Sequence, residues 1–229
     1  MLPADYIDLY CERTAPGFWN EPLNALSNLS FVVAALVALY LVRRRGNADL
    51  AELVLIALAA AIGVGSFLFH TFANTWSELA DVIPIWSFVA FYIITVIYRA
   101  TGENLFRTLR ASAIAVGLTA LIFWFSSSAV VTGLEAGPDP LNGSMQYLPA
   151  VVALLVATVL MHLRKHPART YITFAAATFV ISLAFRTIDI AFCFSISFGT
   201  HFMWHLLNGL MIGLLLAALV LKMKPKGAS

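Results

Sequence analysis

The side chains best suited to chemistry in this sequence are histidines spaced four apart in long apolar runs. His201-Phe202-Met203-Trp204-His205 opens one such run, and that spacing puts both imidazoles on one face of a helix. The pair can hold one metal ion, and a third imidazole with the fourth position left open is the ligand pattern of a catalytic zinc centre. His70 is the candidate third ligand. It ends the stretch Gly63-Val64-Gly65-Ser66-Phe67-Leu68-Phe69-His70, where Ser66 shares its face and the two glycines allow another helix to come close. Asp81 opens the next apolar run, as far beyond the turn near Thr75 and Trp76 as His70 lies before it, so an antiparallel hairpin sets both at similar depth. Ionisable groups at membrane depth are costly, which makes each a functional candidate by default. Taken singly, each histidine has a plainer explanation as a hydrogen-bonding group inside a bundle; agreement in depth among the three clusters favours a shared site.

Such groups need helices to position them. The chain is 61% hydrophobic and only 11% charged, against about 25% charged in a soluble domain, so its expected solvent is lipid. A helix crosses the hydrocarbon core with about 20 apolar residues. Seven stretches meet that length, running roughly from Leu23 to Val42, Leu53 to Phe72, Leu79 to Tyr98, Ala111 to Val131, Ser144 to Leu163, Thr170 to Ile190 and Thr200 to Leu221. Each is too long for a barrel strand and lacks period-two alternation. Basic residues follow the first, third, fifth and seventh: Arg43, Arg44 and Arg45; Arg99, Arg107 and Arg110; Arg164, Lys165 and Arg169; Lys222, Lys224 and Lys226. The positive-inside rule then sets the N-terminus outside and the C-terminus in the cytoplasm, with all three clusters toward the outer leaflet.

The expected fold is an all-α membrane protein, a seven-transmembrane helix bundle forming one domain over residues 1–229. Residues 1–22 form an outer arm, 23–221 the bundle and 222–229 a basic cytoplasmic tail. The arm carries acids, prolines and aromatics in place of a cleavable leader, so the first helix is expected to direct insertion. A net charge of +2 gives no reason to expect a nucleic-acid partner.

Other polar groups have simpler readings. His162 and His166 repeat the four-residue spacing among Arg164, Lys165 and Arg169, and are read as interfacial without a metal. Arg186 and Asp189, three apart, are read as an ion pair that offsets its own burial, a lipid head-group contact being the alternative. Cys11 and Cys193 both fall on the non-cytoplasmic side, where a disulfide can tie the arm to the loop between the sixth and seventh spans. The alternative is two free thiols acting as small apolar residues.

These motifs resemble those of the alkaline ceramidases, within a superfamily that includes the adiponectin-receptor-like proteins. The matching pieces are Cys11-Glu12, Glu21-Pro22-Leu23-Asn24-Ala25-Leu26-Ser27-Asn28, Gly65-Ser66 with His70, Asp81, Ile188-Asp189 with Phe192-Cys193, and His201 with Trp204-His205. The resemblance implies an intramembrane zinc-dependent amide hydrolase that cleaves ceramide-like lipids into a long-chain base and a fatty acid. It implies zinc on His70, His201 and His205, with Asp81 and Ser66 beside it. Asp81 would position water and take its proton, and Ser66 would steady the oxyanion. Animal alkaline ceramidases bind calcium in a similar acidic arm, and the candidate ligands here are Asp8, Glu12 and Glu21. The arm departs from that pattern: the aspartate is displaced to Asp8, Thr14 replaces an asparagine, and the Glu12–Glu21 segment is two residues shorter. A solvated acidic arm or a cap over the bundle is the alternative.

The expected partners are a ceramide-like lipid substrate and the membrane. Rival readings are an adiponectin-receptor-like transducer, which has the opposite orientation, a hydrolase that remodels lipid anchors, and a proton-coupled transporter. The transporter reading lacks inverted repeats or paired broken helices. The Ile188-Asp189 and Phe192-Cys193 match favours the ceramidase reading over the lipid-anchor one. Compact loops and no retention signal point to a multi-pass protein of a bacterial inner membrane.

Overall fold

The computed structural model describes residues 6–114, 116, 117, 139, 141–223 and 225. Within them the protein is all-helical, and the one β contact is an isolated bridge between Tyr6 and Asn74. A short helix α1 (Pro22–Ser27) leads through Asn28 into α2 (Leu29–Arg45). Helices α3 (Leu50–Phe72) and α4 (Thr75–Ala100) follow, and a 3₁₀ turn (Ser144–Tyr147) opens α5 (Leu148–Leu163). The chain continues into α6 (Arg169–Phe192) and α7 (His201–Lys222).

Among the described residues, six helical stretches are long and apolar enough to cross a membrane: Pro22–Arg45, Leu50–Phe72, Thr75–Ala100, Ser144–Leu163, Arg169–Phe192 and His201–Lys222. The expected fourth span, Ala111 to Val131, lies for the most part outside the described residues. The expected first span is jointed at Asn28, whose side-chain amide donates to the Asn24 carbonyl at 2.8 Å.

Local signals explain the boundaries. Pro22 sits at the start of α1, where a missing N–H costs nothing. Ala73, at φ +47°, ends α3. Asn74 then caps α4 reciprocally: its side-chain Oδ1 accepts from the Ser77 N–H at 3.2 Å, while the Asn74 backbone N–H donates to Ser77 Oγ at 3.1 Å. The result is the tight α3–α4 hairpin expected near Thr75.

The core is formed largely by α2, α3 and α7, through Ala35, Ala38, Leu55, Ala59, Leu216 and Leu219, all buried. Small residues let the backbones meet. A Cβ built on Gly65 would fall 1.9 Å from the Ala80 carbonyl oxygen, and one on Gly209 2.4 Å from Ser30 Oγ. Only glycine permits α3 to touch α4, and α7 to touch α2, at these points.

At the far end from the α3–α4 turn, Glu52 is fully buried between two guanidinium groups. Arg45 reaches it at 2.5 Å and Arg99 at 3.0 Å, and Arg99 also reaches Asp49 at 2.5 Å. The same arginines donate to the carbonyls of Val220 and Leu219, so one charge cluster closes α2, α3, α4 and α7 together. Breaking a buried pair leaves charge uncompensated, at about 3–5 kcal/mol. Glu52→Ala is therefore expected to lose stability on that order by thermal unfolding in detergent, with metal content unchanged.

Candidate metal centre

At the end of the bundle nearer the α3–α4 turn, three elements bring the predicted groups together. The last turns of α3 carry Ser66 and His70, the first turns of α7 carry His201 and His205, and α4 carries Asp81. The contact at Gly65 sets Asp81 against the Ser66 turn, since a Cβ on Gly65 would also lie 3.2 Å from the Asp81 Cα.

His70, His201 and His205 are each no more than 2% exposed. One ring nitrogen from each lies within 4.8 Å of the others, and among the described residues no other set of three or more His, Cys, Asp or Glu side chains does this. The ring centroids are 5.4 Å (His70–His201), 4.7 Å (His70–His205) and 4.6 Å (His201–His205) apart.

Hydrogen bonding fixes which nitrogens face inward. Ser27 Oγ donates its proton to the Asn24 carbonyl at 2.8 Å, so its contact with His205 Nδ1, also 2.8 Å, is as acceptor. Glu21 accepts from His70 Nδ1 at 2.5 Å. Both Nε2 atoms are then lone-pair donors, and they face each other 3.2 Å apart. Two such lone pairs repel unless a cation lies between them, so the donor set fits a divalent metal. The buried and unpartnered Nδ1 of His201 and Oδ1 of Asp81 add to that fit.

His201 is held from two sides. Its ring stacks on Tyr10 at a centroid distance of 3.6 Å. Its backbone N–H donates to Asp189 Oδ1 at 2.9 Å, as the Thr200 N–H does at 2.6 Å, while Asp189 Oδ2 accepts from the Cys11 N–H at 3.0 Å. This corrects the expected Arg186–Asp189 ion pair. Asp189 serves the free N–H groups at the start of α7 and ties them to the arm, because helix-terminal donors need acceptors. Gly199, at φ +61°, makes room: a Cβ there would lie 2.2 Å from Asp189 Oδ1. A disulfide joins Cys11 and Cys193 beside this junction, with Cα atoms 5.3 Å apart.

Acids of the arm have partners within the protein. The carboxylates of Asp8, Glu12 and Glu21 do not gather around one point. Glu12 accepts the backbone N–H groups of Leu23 and Asn24, both at 2.8 Å, and so caps α1. Glu21 binds Arg13, Asn24 and His70. Arg13 is itself buried and donates to the His70 carbonyl at 2.8 Å. Burial opposes ionisation of Glu21, but His70, Asn24 and Arg13 outweigh it and hold the carboxyl below the usual range. Among the described residues the cation paired with Glu21 is the Arg13 guanidinium, and calcium chelation is expected to leave the melting temperature unchanged.

Glu21, Ser27 and Tyr10 are the supporting residues that reasoning from the sequence did not place at this centre. Their trace is visible, however: Glu21, Asn24, Ser27 and Asn28 follow helical spacing and are all buried, a polar stripe at the opening of an apolar span. His162 bonds Thr173 at 2.9 Å and His166 accepts from the Ala168 N–H at 3.1 Å, away from the cluster.

Six membrane-length helices among the described residues mark a multi-pass membrane protein, and its buried trio of imidazoles is a group that could hold one metal ion. The chain belongs to the Ceramidase family, whose model matches residues 10–225. A search of curated proteins found no match.

Proposed function

We propose that this chain is an intramembrane zinc-dependent hydrolase that cleaves the amide of ceramide-like lipids into a long-chain base and a fatty acid. The observation that carries this reading is the pair of opposed Nε2 lone pairs, with His201 alongside and an unpartnered Asp81 oxygen nearby. Zinc, when bound, acts as a Lewis acid and brings the pKa of water from 15.7 to about 7.

The protein's own groups do the rest. Asp81, close enough to Ser66 and His70 to interact with both, takes the proton of the attacking water and returns it to the departing amine nitrogen. The Ser66 hydroxyl donates to the oxyanion formed at the amide carbon. Glu21 and Ser27 keep His70 and His205 in the tautomer that presents Nε2.

In the same reading the chain is one domain with seven crossings, its N-terminus outside and its C-terminus in the cytoplasm of a bacterial inner membrane. Two contacts support a crossing between α4 and α5. Arg99 donates to the carbonyl of Met223 at 2.5 Å at one end, whereas Asn142 donates to the Arg186 carbonyl at 2.9 Å near the centre. These two contacts, at opposite ends of the bundle, are what supports reading the apolar stretch from Ala111 to Val131 as a span.

Purified protein incubated with a panel of ceramides should release fatty acid, lose that activity to a zinc chelator and regain it with added zinc. Intact ceramides in the zinc-restored sample would overturn the assignment.

A further inference from the structure

Arg186 stands apart from the other buried charges. It is 7% exposed, and among the described residues no carboxylate lies within ion-pair distance of it. The nearest acid in sequence, Asp189, is committed to the start of α7. Three aromatic faces surround the guanidinium instead: Tyr10 at 5.6 Å, Tyr147 at 5.5 Å and Trp204 at 5.6 Å. Its Nη1 donates to the Tyr10 hydroxyl at 3.0 Å, and its Nε has no partner at all.

Ring faces attract a cation but accept its N–H groups weakly, so this charge is held in place without being neutralised. The location gives that a purpose. Tyr10 is stacked on His201, and Trp204 directly precedes His205, so Arg186 is one ring away from the imidazole cluster. Gly143 keeps the neighbouring turn off the guanidinium, since a Cβ there would lie 3.1 Å from Nη2. A desolvated guanidinium with an N–H to spare, beside a reaction centre, is suited to an anionic oxygen ligand.

We propose that Arg186 forms an oxyanion subsite next to the metal centre, which takes a carboxylate or similar group during the lipid reaction proposed above. Two sources share this chemistry: the carboxylate of the released fatty acid, and an acidic group on the head of the substrate.

The test reads binding rather than turnover, so it stands or falls separately from ceramide cleavage. Zinc-loaded protein is titrated with palmitate and with hexadecanol, a neutral lipid of the same length. The wild type is expected to favour palmitate by about tenfold or more. Arg186→Met should lose most of that preference while keeping its zinc and melting temperature, and Arg186→Lys should keep part of it. The second arm compares a ceramide bearing a phosphate on its primary hydroxyl with the neutral ceramide. Preference confined to the phosphorylated lipid, and lost in Arg186→Met, assigns the subsite to the head group; preference confined to palmitate assigns it to the product. If Arg186→Met does not fold, the Arg186→Lys and wild-type titrations decide. Equal affinity of the wild type for charged and neutral members of both pairs overturns the proposal, as does an undiminished preference in folded Arg186→Met.

Discussion

His201→Ser should leave a folded protein that neither retains zinc nor turns over substrate. Of the three imidazoles, His201 is the one whose Nδ1 has no hydrogen-bond partner, and its place rests on Tyr10 stacking and on the Asp189 cap of its backbone. Those two supports act on the ring face and on the main chain, and the cap survives the substitution. Serine is too short to reach the position left by the ring, which removes one of three ligands. Loss of even an outer partner of a metal ligand costs about 10–100-fold in affinity or activity, so loss of the ligand itself should exceed about 100-fold. Zinc per protein by elemental analysis and fatty-acid release are the measurements, with metal-free wild type as the stability reference because a bound ion raises apparent stability. Stoichiometric zinc and full turnover in the variant would remove the basis of the hydrolase reading.

The limits of the sequence are physical ones. Helical spacing placed His201 with His205 and Ser66 with His70 because neighbours three or four apart share a face whatever the tertiary fold. Asp81 is legible beside them because the Asn74 cap makes the α3–α4 turn short and local. By contrast, Glu21 meets His70 across 49 positions, and no spacing rule spans that gap. The i, i+3 rule misassigned Arg186 and Asp189 for a related reason. Three backbone N–H groups, brought by the arm and by α7, compete for Asp189 and prevail. Arg45 and Arg99 were legible only as markers of orientation, while in the fold they also neutralise buried Glu52.

The arm provides the second large expected effect. Glu21→Ala should weaken zinc binding by about 10–100-fold, because His70 loses the acceptor that fixes its tautomer. It should also destabilise the fold by about 3–5 kcal/mol, since the Arg13 side chain, 1% exposed, is left without its carboxylate. The pH dependence has a definite sign. A carboxyl whose folded pKa lies below its unfolded value of about 4.5 contributes stability that is complete above pH 4.5 and is lost as pH falls through the folded pKa. Wild type should therefore lose stability across that acidic window by an amount that Glu21→Gln does not. The double variant Glu21→Ala with Arg13→Met separates the two roles. Removing the stranded guanidinium should restore much of the stability lost in Glu21→Ala, because the unpaired charge is gone. Zinc affinity should stay low, because His70 still lacks its acceptor. Recovery of both together would mean that Glu21 acts on the metal site only through the fold of the arm, and recovery of neither would mean that Arg13 is not the group Glu21 neutralises.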